Sequence, residues 1–224
     1  MKGKLIVIEG TDCSGKQTQS ERLTKFLNDN GIKAVKFQFP RYDTPTGKIL
    51  GGPYLGKASI GEGFFPEGAP NVPAVVASLY FAADRVYNVK DITSNLENGV
   101  CVVLDRYVES NMAFQGGKIF DENERKEMFE FLMNLEYNLL KLPRPDLKVF
   151  LYMPYESACE LKKNRPERED QHEMDENILK NAEKAYKEIA SLYNFETVNC
   201  TEGKRIKTID EIATELSGVV MKCF

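Results

Sequence analysis

Histidine is almost absent from this sequence: His172 is the only one in 224 residues. A metal centre or an acid–base mechanism built on several imidazoles is thereby excluded. Cysteine is scattered and odd in number. Cys13, Cys101, Cys159, Cys200 and Cys223 include no CxxC pair. That pattern argues against a disulfide framework or a zinc site and points to a reducing, cytoplasmic setting. Long apolar runs are missing too, since none approaches the ~20 residues of a membrane span. The basic start Met1-Lys2-Gly3-Lys4 leads only into Leu5-Ile6-Val7-Ile8 before Glu9, too short for a secretory signal. Positive charge is not in excess either: 30 Lys and Arg stand against 34 Asp and Glu, a net charge of −4. The pI near 5.3 gives no ground to expect a nucleic-acid coat or a basic membrane-surface protein. Neither nucleic acid nor membrane is therefore an expected partner. Repeats and low-complexity tracts are lacking.

What is present is a globular composition, 42% hydrophobic and 29% charged. The length fits one domain over 1–224, with room for a mobile sub-element. Short β-branched or apolar runs at 5–8, 34–39, 102–104, 147–153 and 195–198 read as strands. Helical patterns fill the stretches between them. One follows residue 16 with Leu23, Phe26 and Leu27 on one face; others cover 74–96, 122–140, 157–163, 176–193 and 209–221. The helix over 74–96 is apolar through most of its first half, as expected of a helix crossing the middle of the molecule. Residues 51–73 are rich in Gly and Pro and read as a long loop, a length usually tied to function or mobility. Strands alternating with helices predict an α/β fold, a parallel sheet with helices on both faces.

Gly10-Thr11-Asp12-Cys13-Ser14-Gly15-Lys16 has the form GxxxxGK, directly after a buried strand and opening a helix. Glycines allow backbone N–H groups to turn inward around phosphate oxygens, and the helix offers its N-terminus to the same anion. Lys16 adds a mobile positive charge. The phosphates of a nucleotide are thus expected on Gly10, Cys13, Ser14, Gly15, Lys16, Gln17 and Thr18. One position departs from the usual motif, in which Ser or Thr follows the lysine and meets magnesium. Here Gln17 stands there. Either its amide oxygen serves the metal or the metal is held elsewhere.

A second signature lies at the end of the third strand. Asp105-Arg106-Tyr107 is followed by Ser110-Asn111-Met112-Ala113-Phe114-Gln115-Gly116. Ligands bind at the carboxyl ends of strands in open parallel sheets, which places Asp105 near the phosphates if its strand neighbours the first. Together with Phe39-Pro40-Arg41-Tyr42, Phe81-Ala82-Ala83-Asp84-Arg85 and Asp170-Gln171-His172-Glu173-Met174-Asp175, this order of motifs resembles the thymidylate kinase family over most of the chain. Each motif alone is weak. In this order and on these elements they are specific.

The resemblance implies a three-layer P-loop NTPase fold with a five-stranded parallel sheet and a short lid near 162–173. It implies transfer of the γ-phosphate of ATP to dTMP with Mg²⁺, giving dTDP and ADP, and a homodimer. It also implies roles by position. Arg41 would hold the acceptor phosphate, for which a planar fork is suited. Asp12 would lie near the acceptor's 3′-hydroxyl and the metal. Phe81 would stack on thymine, and Arg85, four residues on and on the same helix face, would donate to a thymine carbonyl. Asn111 can both donate and accept, which matches the base edge. Phe114 would crowd a 2′-hydroxyl and favour deoxyribose. Arg106, Ser110 and Glu173 complete the acceptor side. Asp105, with Gln17, would orient the metal. Lys162, Lys163, Arg165 and Arg168 belong to or flank the lid, with Arg165 and Arg168 as candidates to neutralise the transferring phosphoryl group. His172 is expected to be structural. Each role has a plainer alternative: a turn Asp, a core Phe, an arginine paired with a nearby acid.

Other functions compete on the same residues. A kinase for another deoxynucleoside monophosphate shares every motif. A free-nucleoside kinase would leave Arg41 without a phosphate. A catalytically silent nucleotide binder is kept in play by Gln17. A GTPase switch is disfavoured, because no credible NKxD base-reading motif is present.

Overall fold

The structure is a computed structural model and describes residues 2–163 and 170–224. The first strand, β1 (Leu5–Gly10), is buried at all six positions. A strand buried on both faces must sit inside a sheet that is covered on both sides, and β1 does. The main sheet has the order β2-β3-β1-β4-β5, with β2 (Ala34–Gln38), β3 (Cys101–Asp105), β4 (Leu147–Tyr152) and β5 (Glu196–Asn199). Every pairing is parallel.

Alternate residues of the strands feed two cores. Leu5, Val7, Val102, Leu104 and Phe150 face one side. There they meet α4 (Val108–Gly116), α5 (Glu122–Met133) and α7 (Glu176–Leu192). Ile6, Ile8, Val103, Val149 and Leu151 face the other. There they meet α1 (Lys16–Asp29) through Leu23 and Leu27, and α8 (Ile209–Met221) through Ile212, Leu216 and Val220. The result is the expected α/β arrangement of helix, five-stranded parallel sheet and helix. From β1 the chain runs toward β2, while from its neighbour β3 it runs the other way toward β4. A crevice opens where such connections diverge. Register sets what lines it, because Ile8 pairs with Asp105.

Several elements differ from the sequence expectation. α3 (Ala74–Glu97) does not run through the middle. Val75, Val76, Leu79, Tyr80 and Tyr87 are exposed, while Ser78, Asp84, Arg85 and Asn88 are buried. Its inward face mixes these polar residues with Ala77, Ala82, Ile92 and Leu96, and Phe81 and Arg85 border a cleft. The 51–73 segment is not structureless. α2 (Pro45–Ile49) runs into a π-turn at Leu50–Tyr54, and a 3₁₀ turn follows at Ala69–Asn71. Leu50, Tyr54, Leu55, Ala69, Val72 and Ala77 form a small core of their own. The 122–140 stretch splits: α5 ends at Met133 and the chain widens into a π-turn, Asn134–Leu139. α4 and the short β6–β7 hairpin (Thr201–Glu202 with Arg205–Ile206) are additions. The 157–163 helix begins slightly earlier, as α6 (Tyr155–Lys162).

Candidate active site

The phosphate loop is shaped by close approach and by backbone conformation. A Cβ on Gly10 would lie 2.6 Å from the Leu151 carbonyl oxygen and 2.7 Å from Ser14 Oγ, so only glycine fits beside β4. Gly15 has φ +79° and caps α1. Cys13 adopts φ +58° without being a glycine, a conformation that costs energy and is concentrated at functional loops. Thr11 Oγ1 anchors the loop to the Met153 carbonyl at 2.9 Å.

Lys16 folds over this loop and donates to the Thr11 carbonyl at 2.6 Å. Burial, reinforced by the Arg106 charge, pushes its ammonium down to about 8. A cation held this way gains when phosphate oxygens replace its carbonyl partner. Ser14 is buried behind the loop with its hydroxyl 3.4 Å from Lys16 Nζ. Gln17 and Thr18 are exposed on the first turn of α1, and Gln17 Nε2 donates to Glu21 at 3.3 Å.

Glu9, which sequence reading passed over, organises the turn after β3. It is fully buried and accepts from the Tyr107 and Ser110 amides at 2.7 and 3.1 Å. It also accepts from Ser110 Oγ at 2.6 Å and Tyr186 Oη at 2.9 Å. The two amides belong to the N-terminus of α4, where a carboxylate is favoured. The turn so fixed holds Arg106 at φ +67° and aims its guanidinium at Asp12, with which it forms an ion pair. Burial pushes the Asp12 carboxyl up, but Arg106 and Lys16 outweigh it and hold the group below the usual carboxylate range.

Beyond this pair the crevice deepens into a cleft of about 390 Å³, a size suited to a small organic ligand. Phe81 lies on its wall and meets Tyr54 edge-on at 5.5 Å. Phe114 stacks on His172 at 5.7 Å and carries Arg106 over its ring at 5.3 Å. His172 Nε2 lies 3.1 Å from Tyr54 Oη, and burial pushes its imidazole down to about 4. Arg85 and Asn111 form part of the same wall.

The structure thus brings Asp12, Cys13, Gly15, Lys16, Gln17, Phe81, Arg85, Asp105, Arg106, Ser110, Asn111, Phe114 and Glu173 to one cleft. It does not bring Arg41 there. The Arg41 guanidinium turns outward to Asp91 at 2.7 Å and Asp43 at 3.3 Å, over the Phe37 ring. Two carboxylates and a ring attract it more closely than the cleft does, while Asp84 holds its backbone amide at 2.9 Å. Arg165 and Arg168 lie outside the described residues. Glu136, another residue that sequence reading missed, sits against Arg85 and Asn111.

A glycine-bounded loop of the GxxxxGK form at the diverging point of a doubly covered parallel sheet, continuous with a cleft that reaches Phe81, Arg85 and Asn111, is the arrangement of a P-loop nucleotide-binding protein. Comparison with known proteins narrows the class. The family model described as thymidylate kinase matches residues 8–209, and the chain belongs to that family. It is 34% identical to the thymidylate kinase of Schizosaccharomyces pombe, over 84% of this chain and 79% of that one. It is 29% identical to a Prochlorococcus marinus thymidylate kinase, over 100% and 97%. The solved thymidylate kinase of Candida albicans superposes with a TM-score of 0.74 at 25% identity, covering 99% of this chain and 92% of that one.

Proposed function

We infer that this chain is an ATP-dependent nucleoside monophosphate kinase that transfers the γ-phosphate of ATP to dTMP, giving ADP and dTDP. The observation that carries the acceptor is a buried orphan. Asn111 Oδ1 has no hydrogen-bond partner among the described residues, although it belongs to the wall of the cleft. Buried polar atoms are rarely left so. A base N–H satisfies it, and Arg85 beside it supplies a donor for the adjacent base carbonyl. Thymine presents that pair of groups.

The remaining residues take roles that fit their positions. The loop amides and Lys16 receive the triphosphate. Phe81 offers a ring for the base to stack on. Phe114, fixed by His172 and Arg106, lies where a sugar would pass between base and phosphate. On this reading the acceptor phosphate is assigned to Arg106, held by its ion pair with Asp12, rather than to Arg41, which turns outward to Asp91 and Asp43. The acceptor's phosphate, whose second pKa is near ~6, is already a nucleophile at neutral pH and needs no protein base. Positioning and charge neutralisation then supply the rate.

The donor set fits a magnesium ion that arrives with the nucleotide. Among the described residues no three His, Cys, Asp or Glu side chains cluster to hold an ion alone. Asp105 is a buried carboxylate at the loop, and one or two such carboxylates with phosphate oxygens are what magnesium uses. When bound, the ion neutralises phosphate charge. Gln17, engaged with Glu21, is the weaker candidate ligand.

We read residues 1–224 as one catalytic unit. The exposed Val75, Val76, Leu79, Tyr80 and Tyr87 of α3 support pairing with a second copy. The five free cysteines fit a reducing cytoplasm. The test of function is a coupled ADP-release assay with ATP and magnesium, offering dTMP, dUMP, dCMP, dGMP, dAMP and UMP. Fastest turnover with dTMP supports the assignment; equal or better turnover with a purine or with dCMP overturns it.

A further inference from the structure

Glu136 lies behind the cleft wall, fully buried, in the π-turn that follows α5. Its carboxylate serves two side chains at once. Oε2 accepts from Arg85 Nε, and Oε1 accepts from Arg85 Nη2 at 2.6 Å. The same Oε1 accepts from Asn111 Nδ2 at 3.0 Å. The other hydrogen on that amide goes to the Ser78 carbonyl at 3.1 Å. An ionised carboxylate and a backbone carbonyl are acceptors only. The Asn111 amide therefore has one orientation available: its NH₂ points to Glu136 and Ser78, and its oxygen is left buried without a partner in a residue that borders the cleft.

Arg85 is fixed in the same way. Of its five N–H donors, Nε and one on Nη2 go to Glu136, and one on Nη1 goes to the Tyr107 carbonyl at 3.3 Å. What remains for a ligand is a donor from Arg85 beside an acceptor from Asn111. That polarity matches a base edge carrying a carbonyl next to a ring N–H. It opposes one carrying an amino group next to an unprotonated ring nitrogen.

We propose that Glu136 is a specificity-determining positioning residue, which sets the polarity of the base-reading pair and so discriminates a 4-oxo pyrimidine from a 4-amino pyrimidine. It touches no substrate. It acts through Asn111 and Arg85, and its place in the chain owes to the widened turn at Asn134–Leu139, a kind of irregularity frequent at functional sites. This rests on the dTMP assignment above, since only a base in this cleft would meet the pair.

The test uses the full-length protein with Glu136→Gln and Glu136→Asp. Glutamine can donate as well as accept, so its NH₂ can face the Asn111 amide and loosen the hold on that side chain, leaving the Ser78 carbonyl as the acceptor that still fixes it. Because the substitution also removes the counter-charge of a buried arginine, it can compromise folding. Aspartate keeps the charge and retracts the oxygen from Asn111, and thermal melting checks both variants. Equilibrium affinities for dTMP and dCMP by titration calorimetry give the readout without depending on turnover. The expected result is a dTMP-over-dCMP preference reduced about tenfold or more in Glu136→Gln, the scale of one mispaired buried hydrogen bond. Glu136→Asp should lower the preference by a smaller factor. Equal loss of affinity for both nucleotides, or an unchanged ratio in folded variants, overturns the proposal. Wild-type protein that binds dCMP as tightly as dTMP overturns instead the acceptor assignment beneath it.

Discussion

The two ends of the cleft are built in opposite ways. On the proposed function, the donor end is one contiguous loop, Gly10 to Lys16, held between a central strand and the helix it opens. The acceptor end is assembled from α3, α4, the turn after α5 and the 170–173 segment, elements far apart in the chain. Local encoding suits an anion, which needs amides and one cation and tolerates any base attached. Distributed encoding suits a base, whose edge must be met by groups whose polarity is fixed from behind.

The largest expected effect lies at the donor end. Lys16→Ala removes the one mobile cation of the loop and should lower kcat by about 10²–10³-fold, with dTMP affinity unchanged in a binding titration. If dTMP affinity falls equally, the two ends are not separable. At the acceptor end, Phe81→Ala should weaken dTMP by about 1–3 kcal/mol of lost stacking while the KM for ATP stays constant.

Gly10→Ala sharpens the comparison differently. Its Cβ meets backbone, the Leu151 carbonyl, so the loop must shift. A cost of about 1–3 kcal/mol in stability and a raised KM for ATP are expected by denaturation and steady-state kinetics.

Much of the donor end was legible because glycine spacing and a following helix are local signals. The acceptor end was legible only where the family resemblance pointed to residues, and there unevenly. Arg85 and Asn111 reach the wall, but Glu136 lies outside every quoted motif, and a regular helix over 122–140 hides the π-turn that carries it. α4 escaped notice for a related reason. Its N-terminus is satisfied by Glu9 from a distant strand rather than by a local Ser, Thr, Asp or Asn. Arg41 was placed by motif, but Asp91 and Asp43 claim it, and no local signal foretold Asp91, which is far along the chain. The 51–73 segment gave composition without geometry. Its order comes from the small core around Tyr54 and from Gln171, whose Oε1 accepts from the Ala69 amide at 2.7 Å.

Two pH effects are smaller and separate the ends again. Lys16, held down to about 8, is charged below that pH and loses its charge above it in the free enzyme. kcat/KM for ATP should therefore fall about tenfold per unit above pH 8, while dTMP affinity changes much less. His172, pushed down to about 4, is neutral in the folded state at pH values where the unfolded chain's imidazole takes up a proton. Stability owed to the neutral ring is complete above about 6.5 and is lost as pH falls toward 4. Relative to His172→Gln, wild type should lose up to about 3 kcal/mol between those limits. Well above 6.5, near pH 8, the difference should show almost no pH dependence, which denaturant titrations across pH 4 to 8 can check.

The comparison stands or falls on one steady-state measurement, in which a series of nucleoside triphosphate donors is crossed with the series of monophosphate acceptors. A loop that grips phosphates and a pocket that reads a base edge predict shallow selectivity among donors and steep selectivity among acceptors, with dTMP first. Steep selectivity among donors together with indifference to the acceptor base would contradict the account.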